Sequence, residues 1–159
     1  MNFIYRHDLG KWDRRFIELA EHIAQWSKGP RKRVGAVIVR EDRTVASTGY
    51  NGAPAGFDDD LFLRMDREAQ HEVVVHAEDN ALQHLHAAEF SGWLTLYVSP
   101  LLPCETCADL VIKDGRIKRV VAYCGHMSDD WLESACRAFD KLAKAGIEMI
   151  YVDDKEESS

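Results

Sequence analysis

The sequence predicts an α/β protein: a central five-stranded mixed sheet with helices on both faces. Three observations predict it. Apolar stripes at helical spacing alternate with short β-rich runs. Their order along the chain reads αββαβαβαβ, the alternation that builds a sheet covered by helices. The first two strands are close enough to pair as a hairpin, whereas the later ones are separated by helices, as right-handed parallel crossovers require.

Each element has a local reason. Residues 12–27 read as a helix because Phe16, Leu19, Ala20, Ile23 and Trp26 recur at spacings of three and four. Gly29-Pro30 should end it. VGAVIV (34–39) and TVASTGY (44–50) are β-rich, and the polar REDR at 40–43 between them suggests a hairpin. Residues 51–70 open on NGAPAGFDDD and read as a loop. A helix is expected over 76–88 and a strand over LTLYVS (94–99). CETCADLVIKD (104–114) reads as a short helix closed by Gly115 as a left-handed cap. KRVVAY (118–123) is the next strand. The helix at 131–145 carries Leu132, Ala135, Phe139, Leu142 and Ala143 on one face, and a last strand covers 147–152.

The chain of 159 residues suits one domain, expected over 1–152, with a polar tail at 153–159. The net charge of −7 argues against a nucleic-acid polymer as partner, since the densest basic run is only Arg31-Lys32-Arg33. No apolar run approaches the roughly 20 residues that span a bilayer, and the N-terminus lacks the apolar core of a signal peptide. A cytoplasmic protein without membrane contact is expected. In that compartment the four cysteines are expected as thiols or metal ligands rather than disulfides.

The chemistry is concentrated in two stretches. In Pro103-Cys104-Glu105-Thr106-Cys107 the two cysteines lie three apart, on one face of a helix start. Free N–H groups and the helix dipole favour thiolates there. This motif alone fits a metal grip, a redox pair or two unrelated buried thiols. Cys124 and Cys136 do not repeat its spacing and are read as free thiols. The second stretch is VVVHAEDNALQHLH (73–86). His76 stands where an extended segment enters a helix, so its ring is able to point toward the Cys104 helix. Glu78, in the first turn, is long enough to reach back over His76 without being a ligand. That pair suits one metal ligand and one proton carrier. His71 (in the preceding loop), His84 (exposed) and His86 (partly packed) are expected to be ordinary polar residues.

Taken together, HAE followed 28 residues later by PCETC resembles the H-x-E…P-C-x-x-C pattern of the zinc nucleobase deaminases. The likeness extends further. Residues 11–39, TGYNGAPAG (48–56) and SPLLPCETCADLVIKDGRIKRVV (99–121) resemble the deoxycytidylate (dCMP) deaminases of bacterial and phage type. The resemblance implies a three-layer α/β/α cytidine deaminase-like fold and one catalytic Zn²⁺. It implies hydrolytic deamination of dCMP to dUMP, which supplies thymidylate synthesis.

By position it makes His76, Cys104 and Cys107 the zinc ligands and Glu78 the proton shuttle. Asn51, Ala77 and Pro103 become substrate contacts, although Tyr-Asn-Gly is also good turn chemistry. Arg33, Arg64, Arg67 and His71 are the candidates for holding a 5′-phosphate. Tyr50, Asn51 and Gly52 would belong to a loop that binds regulatory dCTP or dTTP, in a homo-oligomer, either hexamer or dimer. The long cysteine-bearing insertion of some phage relatives is missing. Deamination of dCTP, of 5-modified dCMP or of a nucleoside stays open at this point. A tRNA adenosine deaminase and a non-catalytic zinc module fit less well, the first because of the charge and the second because of Glu78.

Overall fold

The computed structural model describes residues 3–5, 9–29, 32–89, 93–125 and 127–153. Six strands form one mixed sheet: β1 (Phe3–Tyr5), β2 (Gly35–Val39), β3 (Val45–Tyr50), β4 (Leu94–Ser99), β5 (Ile117–Cys124) and β6 (Glu148–Asp153). The spatial order is β1-β6-β5-β4-β2-β3. The five expected strands are all present. The sixth, β1, is a three-residue edge strand parallel to β6, too short to leave a periodic pattern.

β4, β5 and β6 run parallel. β2 is antiparallel to both β3 and β4, with Gly35 opposite Tyr50 on one side and Ser99 on the other. The ends of β3 and β4 therefore leave the sheet at the same edge. The loop after β5 joins them there, since Gly125 N–H donates to the Pro100 carbonyl at 2.8 Å.

One face carries α1 (Lys11–Ala24) alone. Phe16, Ile17, Ala20 and Ile23 pack on Val37, Val39, Tyr97, Val121 and Ile150. A polar tie reinforces this contact. The Asp13 carboxylate accepts from the Tyr97 hydroxyl at 2.7 Å and from the Arg119 guanidinium at 2.8 Å, joining α1 to β4 and β5. Burial and that acceptor push the Tyr97 hydroxyl well above its usual range. The opposite face carries α4 (Ala77–His84), α5 (Glu105–Asp114) and α6 (Asp129–Lys144) over the larger core. Helices on both faces make the three expected layers.

Two glycines bring the layers close. A Cβ on Gly35 would lie 2.0 Å from the Ala20 carbonyl oxygen of α1. On the other face, a Cβ on Gly49 would lie 2.5 Å from the Ala81 nitrogen of α4.

The helix ends depart from expectation in ways that have local causes. α1 stops at Ala24, two residues before Trp26, so Trp26 leaves the apolar stripe and is 54% exposed. Pro30, half of the expected stop signal, lies outside the described residues. α4 ends at His84 rather than 88, because Leu85 turns extended to bury its side chain. Leu132 sits in the first turn of α6, beyond the sheet it was expected to cover, and is exposed; Ala138 takes its place in the buried stripe. The left-handed cap at Gly115 has φ 81° as expected, and α6 is followed by a similar turn at Gly146.

The segment expected as a loop at 51–70 holds two short helices, α2 (Asp59–Arg64) and α3 (Arg67–Val73). Both are capped by aspartate. Asp58 accepts from the Asp60 and Leu61 amides, and Asp66 accepts from Ala69. Such caps are worth about 1 kcal/mol each. Buried Gln70 donates to the Phe62 carbonyl at 2.8 Å and ties the two helices together. The expected tail beyond 153 lies outside the described residues.

Candidate active site

Two helix starts converge at the shared edge of β3 and β4. His76 is the N-cap of α4 and Cys104 the N-cap of α5, and neither uses its side chain to cap its own helix. The ring and the thiol are left to face each other. α4 is held in place along β3. Asn80 Nδ2 donates to the Tyr50 carbonyl at 2.8 Å, and the Ser47 hydroxyl donates to the Ala81 carbonyl. Just before the helix, Gly52 and Val75 exchange both backbone hydrogen bonds. The Tyr50–Gly52 segment at the end of β3 thus fixes where α4 begins.

His76 Nδ1 lies 3.3 Å from Cys107 Sγ and 3.5 Å from Cys104 Sγ. Among the described residues, these three are the group whose donor atoms, all within 4.8 Å of one another, fit a metal ion. The fit is specific. Tetrahedral zinc, with Zn–N of about 2.1 Å and Zn–S of about 2.3 Å, holds a nitrogen and a sulfur about 3.6 Å apart. One imidazole and two thiols leave one of four positions for a non-protein ligand, the arrangement of catalytic zinc.

The electrostatics agree with that donor set. Cys104 is pushed down to about 4, chiefly by the hydrogen bond from the Cys107 thiol and also by His76. Cys107 is pushed up, because the Cys104 sulfur accepts its proton and burial disfavours its charge. His76 is raised by its hydrogen bond to Cys104. A divalent cation at the centre would favour both thiolates.

Glu78 is 3% exposed, and its carboxyl lies against the Cys107 thiol without belonging to the donor group. Burial pushes its pKa up. A carboxyl so placed is held nearer the range in which it both takes and gives a proton.

The other residues singled out in the sequence scatter. Ala77 and Pro103 are buried, each adjacent in sequence to a metal-site residue. The Asn51 amide is engaged with backbone: its Oδ1 accepts from Val34 N–H at 2.9 Å and its Nδ2 donates to the Lys32 carbonyl at 2.9 Å. These bonds tie it to the entry of β2, 17 and 19 positions back, rather than to a local turn, and they leave a second amide hydrogen and a second lone pair. Arg33, Arg64 and Arg67 are exposed, and Arg64 Nε reaches back to the Asp60 carbonyl. His71, expected in a loop, lies on α3 and is exposed. His84 donates from Nδ1 to the Thr48 carbonyl at 2.9 Å, another tie between α4 and β3. His86, expected to be partly packed, is exposed, and its Nδ1 accepts the Ala88 amide. Cys124 is buried, Cys136 is exposed, and neither is in a disulfide.

Two residues of the site left no mark in the sequence. Trp131 at the start of α6 has its ring 6.1 Å from the His76 ring. Ser134, one turn on, accepts the Glu105 amide at 3.0 Å. These contacts span 55 and 29 positions of chain, beyond the reach of any local pattern.

Residues 10–124 match the family model described as the cytidine and deoxycytidylate deaminase zinc-binding region. The chain belongs to that family. The family domain binds zinc, and the His76-Cys104-Cys107 cluster fits one catalytic ion. The chain is 38% identical over 144 residues to the deoxycytidylate deaminase of Mus musculus, covering 87% of this chain and 79% of the relative. It is 33% identical over 152 residues to an Aliivibrio fischeri protein named "Uncharacterized deaminase in luxG 3'region", covering 91% and 95%. Among solved structures, the dCMP deaminase of cyanophage S-TIM5 has the same fold. Its TM-score is 0.68 at 24% identity, with 91% of this chain and 99% of that chain covered. No helix among the described residues is long and apolar enough to cross a membrane.

Proposed function

We propose that this protein is a zinc-dependent hydrolase that deaminates dCMP to dUMP and releases ammonia. The observation that carries the reading is the buried carboxyl of Glu78 beside three donors that leave one zinc position open. The deoxycytidylate deaminases to which the chain is similar supply the substrate.

His76, Cys104 and Cys107 hold the metal. When bound, zinc supplies a Lewis acid that makes a water molecule acidic near neutral pH. Glu78 takes the proton from that water and passes it to N3 of the cytosine. The water oxygen adds to C4. Glu78 then takes the remaining proton from the new C4 hydroxyl and delivers it to the C4 amino group, the C4–N bond breaks, ammonia leaves and C4 is left as a carbonyl. One carboxyl serves both transfers because burial raises its pKa.

Asn51 keeps an amide hydrogen for a sugar hydroxyl, and Ala77 and Pro103 line the base. Arg33, Arg64, Arg67 and His71 are the candidate phosphate contacts. The Tyr50-Asn51-Gly52 segment, which fixes the start of α4, is the proposed site of dCTP or dTTP control. A cytoplasmic homo-oligomer of single-domain subunits completes the proposal. Ammonia release from deoxycytidine, dCMP, dCTP and CMP by the zinc-loaded protein tests it. Strong preference for dCMP is expected. Equal or better turnover of another of these substrates would refute the assignment, and no release from any would overturn the enzyme reading.

A further inference from the structure

α6 begins at the same sheet edge as the zinc site, and its first turns straddle Cys104. Trp131 Nε1 donates to the Leu102 carbonyl at 2.8 Å, two residues before Cys104. Ser134 accepts the amide of Glu105, the residue after it, at 3.0 Å. The Glu105 carboxylate then pairs with Arg137 and Lys141 farther along α6. Positions 131, 134, 137 and 141 follow one helical stripe. The Trp131 ring also packs on the other half of the site, its centroid 6.1 Å from that of His76 at an interplanar angle of 37°. That separation is an ordinary aromatic contact.

We infer that Trp131 is a positioning residue of the metal centre, which joins the histidine half of the donor set to the cysteine half. The inference rests on the zinc site assigned above. The His76 ring must present Nδ1 toward both sulfurs, and its own helix offers it no capping bond to fix the rotamer. The indole packed beside it restricts that rotation. Its N–H holds the strand-to-helix segment that delivers Cys104. A tryptophan that merely filled the core has no need of contact with a ligand ring. Residues that orient metal ligands commonly change metal affinity or activity by about 10- to 100-fold.

Zinc release measures this directly. The holoprotein, with zinc content determined per chain, is mixed with the chromogenic chelator 4-(2-pyridylazo)resorcinol and the release rate is recorded. The cobalt(II)-substituted protein supplies a spectroscopic signature, its sulfur-to-metal and d–d bands, that a general loss of stability does not shift. Trp131→Leu is expected to release zinc about tenfold faster and to shift the cobalt bands. Trp131→Phe keeps a ring and loses the N–H, and is expected to fall between, at about threefold. Trp93→Leu, at an exposed tryptophan far from this stripe in the chain, is expected to match the wild type. Wild-type release and bands in Trp131→Leu would overturn the positioning role while leaving the zinc site intact. Should Trp131→Leu fail to fold, wild-type behaviour of Trp131→Phe would overturn it equally. A wild-type protein that takes up no zinc would sink the metal centre itself, and the positioning role with it.

Discussion

Gly49→Ala is the sharpest test of how the sheet sets the site. The new methyl would lie 2.5 Å from the Ala81 nitrogen and 2.6 Å from the Ala77 carbonyl oxygen. Both are backbone atoms of α4, so no rotamer change relieves the contact. Restoring an ordinary separation of about 3.4 Å requires α4 to retreat by about 0.9 Å. Overpacking of this kind costs about 1–3 kcal/mol. At about 2–4 °C per kcal/mol for a chain of this size, the melting temperature should fall by about 2–12 °C. The effect on turnover should be larger than the stability loss suggests. α4 carries His76 at its cap and Glu78 in its first turn, and a misplacement near 1 Å costs on the order of 100-fold in rate. Thermal melting followed by circular dichroism gives the first quantity, and ammonia release well below the melting temperature gives the second. An unchanged melting temperature would show that the helix–strand approach is not tight. A lowered melting temperature with wild-type turnover would refute the claim that β3 sets the position of Glu78.

Glu78→Gln should keep one zinc per chain and lose about 10²- to 10⁴-fold in kcat, read from metal content and ammonia release on the same preparation. Asp13→Ala leaves the Tyr97 hydroxyl and the Arg119 guanidinium without their shared acceptor on the α1 face. It should cost at least about 2 kcal/mol in urea unfolding while zinc content stays at wild type. A pH effect should come from Asp114, whose carboxyl the Arg116 guanidinium holds below the usual range. Its folded pKa is depressed, so its contribution is complete above the ordinary carboxylate pKa and is lost as pH falls through the folded value. Asp114→Asn should therefore be less stable than wild type at neutral pH. The gap should close in strong acid; one that widened there would reverse the sign.

The parts of this fold that were legible in the sequence are those whose cause is local. LTLYVS is a strand at the predicted residues because it is a short β-rich run buried on both faces of the sheet. The Gly115 cap is visible because only glycine readily takes φ near +81°. The grouping of His76 with Cys104 and Cys107 was legible for another reason: each sits at a helix start, and together their motifs resemble those of the zinc deaminases. α2 and α3 were missed although Asp58 and Asp66 are good capping residues, because the glycines, proline and acids around them also suit a loop. Trp26 was assigned to the core because its spacing is right, and spacing says nothing of where a helix stops. Trp131 and Ser134 were invisible for the converse reason. Their partners, His76 and Glu105, lie 55 and 29 positions away, and only the folded sheet brings them together.

The row Tyr50, Gly35, Ser99 across the sheet edge has a consequence for the order in which the molecule is made. His76 is synthesised before β4 and both cysteines after it. A growing chain that has released His76 but not β4 holds half a site. The donors become neighbours only when β4 pairs with β2, a contact across about 60 residues whose loop-closure entropy must be met first. Metal therefore adds its binding free energy to the finished sheet and to little before it. Zinc works here as a latch on assembly. Until β4 is in place, it has nothing to close on.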